Sequence, residues 1–130
     1  GSVWLTTVDS EVPPVIKEKM VAENYSETFR SRSRTGKHYR QLVSPWTDAW
    51  ESDKAPDPLP MPLQPMVAEP ALQKVNKLAE GGHEGARELS TYWVGQGVGL
   101  MNATISASDV VQEFKQDFIS AYERLTNFVN

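Results

Sequence analysis

Tyr92-Trp93-Val94-Gly95-Gln96-Gly97-Val98-Gly99-Leu100-Met101 is the one run in this chain where glycine recurs at every second position inside an apolar setting. Glycine admits positive φ and lets another backbone or a ligand come close. The run therefore reads either as a tight corner between packed helices or as a loop that faces a ligand. It is not a dinucleotide fingerprint. G-x-G-x-x-G would need a glycine at position 100, which is Leu100, and a strand ahead of it.

Downstream of the run, Ser106 and Asp109 form a start signal like a capping box, with Asp in place of the usual Glu. Val110, Val111, Phe114, Phe118, Tyr122, Leu125 and Phe128/Val129 then draw one apolar stripe through a long helix. Such a stripe is expected to lie in the core. Upstream, Ala68, Leu72, Val75, Leu78 and Ala79 recur at spacings of three or four and predict a helix over 67–80. Gly81-Gly82 ends it, His83 follows as a solvated loop residue, and Glu84–Leu89 leads into the glycine run. Pro56, Pro58, Pro60, Pro62, Pro65 and Pro70 crowd the preceding stretch. That density predicts no regular helix there, and 54–65 reads as an extended strap held down by Met61, Leu63 and Met66. A polyproline recognition motif is the less expected alternative.

Further back, Phe29, Ser31 and Ser33 alternate with Arg30, Arg32 and Arg34, a period of two that predicts a strand. Thr35-Gly36 is a turn signal and 37–43 returns as a second strand. Five basic residues fall between Arg30 and Arg40. They read as the solvated face of a hairpin, with an anionic-ligand site or a nucleic-acid stripe as alternatives. Ser44-Pro45 opens a short helix that carries Trp46 and Trp50 at i,i+4 on one face, either a packing anchor or a substrate wall. Near the start, Pro13-Pro14 precedes an amphipathic helix with Val15, Met20 and Val21 on one side and Lys17, Glu18 and Lys19 between them.

Composition removes several functions. A chain of 130 residues holds one domain. A net charge of −4 argues against a general nucleic-acid binder. With no cysteine there is no disulfide framework, and His38 and His83 lack metal-ligand spacing. No apolar run is long enough to span a membrane and no signal peptide is visible, so the cytoplasm is the expected compartment. The chain opens Gly1-Ser2 without a methionine, as a cloning remnant or as the cut edge of a longer protein. No nucleophile–base pair or carboxylate pair stands out, and the residues alone name no reaction.

Gly95-Gln96-Gly97-Val98-Gly99-Leu100 resembles the C-terminal "GQ-x-V/A-G-L" segment of the nitronate monooxygenase (2-nitropropane dioxygenase) family. The resemblance continues in order. Gly1-Ser2-Val3-Trp4-Leu5-Thr6-Thr7, then Pro14-Val15-Ile16-Lys17, is similar to the family's Gly-Thr turn after the eighth barrel strand and the helix behind it, with Ser2 where Thr is usual. Arg32-Ser33-Arg34-Thr35-Gly36-Lys37-His38-Tyr39-Arg40 is similar to "T-R-x-x-T-G-R-P-A-R", with His38-Tyr39 departing from Pro-Ala.

The resemblance implies a mainly α segment with a short β-hairpin, the C-terminal piece of an FMN-binding TIM (β/α)8 barrel protein with the barrel strands largely absent. Its parts are a barrel-closing helical region over 1–26, a hairpin and proline-rich insertion over 27–66, and C-terminal helices over 67–130. The implied reaction is oxidation of an alkyl nitronate by O2 through FMN, with this segment alone inactive. Gly1 and Ser2 would meet the FMN phosphate, where helix N-terminal amides favour an anion. Gln96 and Gly97 would approach the flavin or substrate, and an amide side chain suits flavin edge atoms. Neither His38 nor His83 matches the family's base, so no catalytic residue is named. The expected partner is a small-molecule substrate, with no nucleic acid and no membrane, and a homodimer is an option. Related flavoproteins that reduce enoyl thioesters or serve actinobacterial steroid-ring degradation give a second enzymatic reading. A non-catalytic module that binds through its basic hairpin and proline strap gives a third.

Overall fold

In the computed structural model, which describes residues 1–130, the core forms around the helix that follows Pro13-Pro14. Pro14 sits in the first turn of α2 (Pro14–Ala22), where its missing N–H costs nothing. Ile16 and Met20, four apart on one face, are completely buried. They pack in one cluster with Val12, Val15, Leu42, Ala79, Ala86, Val94, Val98 and Met101. The core is thus made of residues from both ends of the chain. Ahead of it stands one short turn of helix, α1 (Ser2–Leu5).

After α2, Asn24 caps a single 3-10 turn: its Oδ1 accepts from Ser26 N–H at 2.9 Å, and its own N–H donates to Glu27 Oε2 at 2.7 Å. The chain then enters β1 (Thr28–Ser31), paired antiparallel with β2 (Tyr39–Leu42) so that Thr28 faces Leu42 and Ser31 faces Tyr39. This two-stranded sheet is the only sheet, and the remaining regular elements are helices: α3 (Pro45–Trp50), α4 (Leu63–Glu80), α5 (Glu84–Leu89) and α6 (Ala107–Val129). Gly36, at the hairpin tip, has φ +82, and a Cβ there would fall 2.2 Å from the Leu59 carbonyl oxygen. The tip therefore lies backbone to backbone on the proline strap, which only glycine permits.

Several expectations need correction. The helix predicted over 67–80 begins one turn earlier, at Leu63, and holds Pro65 and Pro70. Pro65 is the third helical residue, where N–H groups have no intrahelical acceptor. Pro70 deprives only the Met66 carbonyl, and both residues are exposed, so water reaches that side. Met61, Leu63 and Met66, expected to hold the strap down, are also exposed. Gln64 holds it instead: its side chain accepts from Leu59 N–H at 2.9 Å and donates to the Ser33 carbonyl at 2.6 Å. Leu78, placed in the apolar stripe of α4, is exposed. Lys17 is buried rather than solvated, with Nζ donating to the Ser10 carbonyl at 2.6 Å. Lys19 is half-buried against the Glu88 and Ser90 carbonyls, and loss of solvation lowers its pKa. His83 is exposed, as expected, and in addition caps α5, its Nδ1 accepting from Ala86 N–H at 3.2 Å.

The largest correction concerns α6. Its start follows the expected capping, with Asp109 N–H donating to Ser106 Oγ at 3.0 Å. The stripe that follows is not core: of its residues only Val110 is buried. Helical periodicity records that a face is apolar, but what covers it is decided by other chain, and residues 1–130 supply nothing beyond the first turns of α6.

Candidate functional site

The quoted glycine run is held at both ends. At its start, Leu42 N–H donates to the Tyr92 carbonyl at 3.2 Å and Val94 N–H to the Arg40 carbonyl at 3.1 Å, so Trp93 pairs with Gln41 beside β2. At its end Val98 and Met101 are buried, and Thr6 Oγ1 donates to Met101 Sδ at 3.4 Å. Gly99 has φ +91, and a Cβ there would come 2.9 Å from Asn24 Cα. The run is therefore a packing corner at its two ends and an exposed loop between them. Val94, Val98 and Met101 make the packing corner, and Gly95-Gln96-Gly97 stay exposed between the two anchors.

Opposite them stands the start of α1. Gly95 N–H donates to Ser2 Oγ at 2.7 Å, across 93 residues of sequence. This fixes the Ser2 oxygen and leaves its own O–H to donate elsewhere. The first amides of α1 have no acceptor within the helix and add further donors. Between these two walls opens a cleft of about 700 Å³. Gly1, Ser2, Gln96 and Gly97, the four residues singled out from the sequence, all line it. A Cβ added at Gly1 or Gly97 would meet no atom within 4 Å, so at both positions the backbone borders open space.

Sequence reasoning missed the third wall. Trp93, Leu100 and Met101 give the cleft apolar surface, and Glu113, Phe114 and Asp117 reach it from α6. The ring of Phe114 packs edge-on against Trp4, with centroids 5.7 Å apart. Helical spacing put Glu113 and Asp117 one turn apart, but nothing local announces that α6 returns to α1. The return is made by Val8 N–H donating to the Ile105 carbonyl at 3.0 Å and Ala107 N–H donating to Asp9 Oδ2 at 2.8 Å.

The basic hairpin lies elsewhere, and most of its charge is occupied. Arg34 is buried, in a two-pronged pair with Glu69 at 2.5 and 3.0 Å, with its guanidinium 3.8 Å from the centre of the Trp93 ring. Arg32 donates to the carbonyls of Gly36 and Pro58, and Arg40 donates to Thr28 Oγ1 at 2.7 Å while covering Tyr25. The solvated face read from the alternation is thus mostly a set of structural ties. Tyr39 packs edge-on to Trp93, and burial pushes its phenol above the usual tyrosine range. Trp46 and Trp50 are half-buried, with ring centroids 6.2 Å apart, and the Trp46 Nε1–H donates to Ser33 Oγ at 3.3 Å.

With this geometry in place, comparison with known proteins gives four results. The family model described as nitronate monooxygenase matches residues 1–117. A Mycobacterium tuberculosis protein named "Putative monooxygenase Rv1533" is 47% identical over 130 residues, covering 99% of this chain and 34% of that protein. A Bacillus subtilis protein named "Probable nitronate monooxygenase" is 26% identical over 119 residues, covering 92% of this chain and 32% of that protein. Among solved structures, a FabK mutant from Thermotoga maritima superposes with a TM-score of 0.60 over 96% of this chain and 34% of that one. At 23% identity that likeness shows the fold alone. The chain spans about a third of the length of the curated relatives it matches.

Proposed function

The chain belongs to the nitronate monooxygenase family, and from that premise we propose that it is the C-terminal part of an FMN-dependent TIM-barrel oxidoreductase. The whole enzyme oxidises alkyl nitronates with O2, acting on a small molecule in the cytoplasm. No helix of this chain is long and apolar enough to cross a membrane. The observation that carries the reading is the convergence of Gly1, Ser2, Gln96 and Gly97 on one cleft, although 93 residues separate Ser2 from Gly95.

The residues present fit the cofactor. The first amides of α1 and the Ser2 hydroxyl are hydrogen-bond donors suited to a phosphate. At Gly1 and Gly97 the open space beyond the backbone leaves room for the cofactor where any side chain would intrude. Glu113 and Asp117 work against an anion in the same cleft, so the donors of α1 have to outweigh them. When bound, FMN supplies the electron exchange between substrate and O2. The chain's own part is to hold and orient: the exposed Gln96 amide is able to donate and accept at the ring edge, and Trp93, Leu100 and Phe114 shield one side from water. His38 and His83 are not among the cleft residues, so no proton-transfer role is assigned to this segment.

The test is the visible absorption spectrum of the full-length protein purified as expressed. Bound flavin is expected in the parent protein. Gly97→Val, whose Cβ would meet no protein atom within 4 Å, is expected to lose flavin while the far-ultraviolet dichroism stays unchanged. A folded, colourless protein that takes up no added FMN overturns the reading. Turnover of nitronates against enoyl thioesters then separates the two enzymatic substrate classes.

A further inference from the structure

Trp93 stands between the cleft and the basic hairpin. It lines the cleft, and hydrogen bonds from Leu42 to Tyr92 and from Val94 to Arg40 fix its backbone beside β2. Those bonds settle where the residue starts. They do not settle where its indole points, because the side chain keeps a choice of rotamers until something packs on the ring.

What packs on the ring comes from this chain. The Arg34 guanidinium lies over its face, 3.8 Å from the ring centre, well inside the reach of a cation–π contact. Tyr39 and Tyr92 meet it edge-on, with centroids 6.1 and 5.5 Å away. Arg34 is itself clamped, since two of its nitrogens donate to Glu69 of α4 at 2.5 and 3.0 Å. A guanidinium is planar, so holding two of its nitrogens fixes its plane as well as its place. The indole laid on that plane takes its orientation from it. Arg34 is buried and is not among the residues lining the cleft, so whatever it does for the cleft it does through Trp93.

The same geometry separates position from charge. A lone guanidinium behind the ring would send a positive potential into the cleft. The Glu69 carboxylate touches that guanidinium directly, so the two opposite charges largely cancel beyond the pair. A buried ion pair also adds little net stability over an apolar pair of the same shape. What Arg34 and Glu69 supply that two leucines would not is a fixed plane under Trp93.

We infer that Arg34, locked by Glu69, is a positioning residue that fixes the Trp93 indole as a flat apolar wall of the cleft toward the bound flavin. The inference rests on the reading of this cleft as a flavin site. It makes cofactor affinity depend on a hairpin arginine that does not touch the cleft.

The experiment is a double-mutant cycle on the dissociation constant of FMN, read from the quenching of FMN fluorescence as it is added to flavin-free full-length protein. Arg34→Lys keeps the charge and loses both the fork and the stacking plane, and is expected to weaken FMN binding about tenfold. Trp93→Ala is expected to weaken it by about the same factor or more. In the Trp93→Ala background, Arg34→Lys is expected to add less than about twofold, because the residue it acts through is gone. Glu69→Gln leaves the guanidinium in place and removes one charge-assisted prong, so its effect should fall between the parent and Arg34→Lys. It replaces Arg34→Lys in the cycle if circular dichroism shows that variant unfolded. A pair that serves only to tie the hairpin to α4 would change stability in urea and leave the two losses of affinity additive. Arg34→Lys and Glu69→Gln variants that bind FMN like the parent, or a loss that adds in full to that of Trp93→Ala, overturn this inference alone. A parent protein that takes up no FMN overturns the flavin reading together with it.

Discussion

Two helices of this molecule carry apolar faces in sequence and differ completely in how those faces are covered. On α2, Ile16 and Met20 are fully buried, surrounded by residues from β2, α4, α5 and the glycine run. On α6, Phe118, Leu125 and Phe128 also recur at helical spacing, yet each is more than 60% exposed. The weaker pattern found its cover within 130 residues and the stronger one did not. Amphipathicity measures a demand for a partner surface. It carries no information about whether that surface belongs to the same chain.

The contrast makes graded predictions. The largest effect is expected at the buried face: Ile16→Ala lowers the unfolding free energy by about 2–5 kcal/mol in urea titration. If Ile16→Ala proves nearly neutral, the core is not the one described. Gly99→Ala forces a side chain into a φ +91 backbone against Asn24, and is expected to cost about 1–3 kcal/mol by the same measurement. Arg34→Lys keeps the charge but loses the fork to Glu69 and the stacking on Trp93. About 1–2 kcal/mol is expected.

A pH effect follows at the end of α2. Burial, with the neighbouring Glu27 carboxylate, raises the Glu23 carboxyl pKa above its ordinary value, against a smaller opposing pull from Lys19. The folded state then holds the proton more tightly than the unfolded state. The sign is therefore that stability falls as pH rises from the unfolded value of about 4.5 through the raised folded one. Glu23→Gln should flatten that slope in melts taken between pH 4 and 7, a window set on the order of the carboxylate range. The smallest effect belongs to the open face. Phe118→Ser, measured on this chain, should change the unfolding free energy by about 0.5 kcal/mol or less. A loss comparable to that of Ile16→Ala would mean that the α6 stripe is covered by its own chain.

What was legible in the sequence was local. The Pro14 helix start, the Gly36 turn, the Ser106 cap and the Ser44-Pro45 helix start all appear where turn and cap chemistry puts them. The four cleft residues were singled out by resemblance, and the fold brings all of them together. What was not legible required knowledge of distant neighbours. Arg34 looked like one more solvated arginine until Glu69 and Trp93 came to it from 35 and 59 positions away. Pro65 and Pro70 looked like helix breakers, but one occupies the first turn and the other faces water. The acidic wall from Glu113 and Asp117 depends on the return of α6 to Asp9 and Trp4.

The bond between Ser2 and Gly95 has a consequence in time as well as in space. Its two ends are 93 residues apart, whereas the hairpin closes over 14 residues from Thr28 to Leu42. Closing a long loop costs entropy before any contact rewards it, and contacts of long sequence separation slow folding. The cleft is therefore expected to be the last part of the chain to assemble, after helices and hairpin are formed. In a refolding experiment, accessibility at the cleft should outlast the recovery of secondary structure. A nascent chain has no such cleft until its C-terminal quarter has been made.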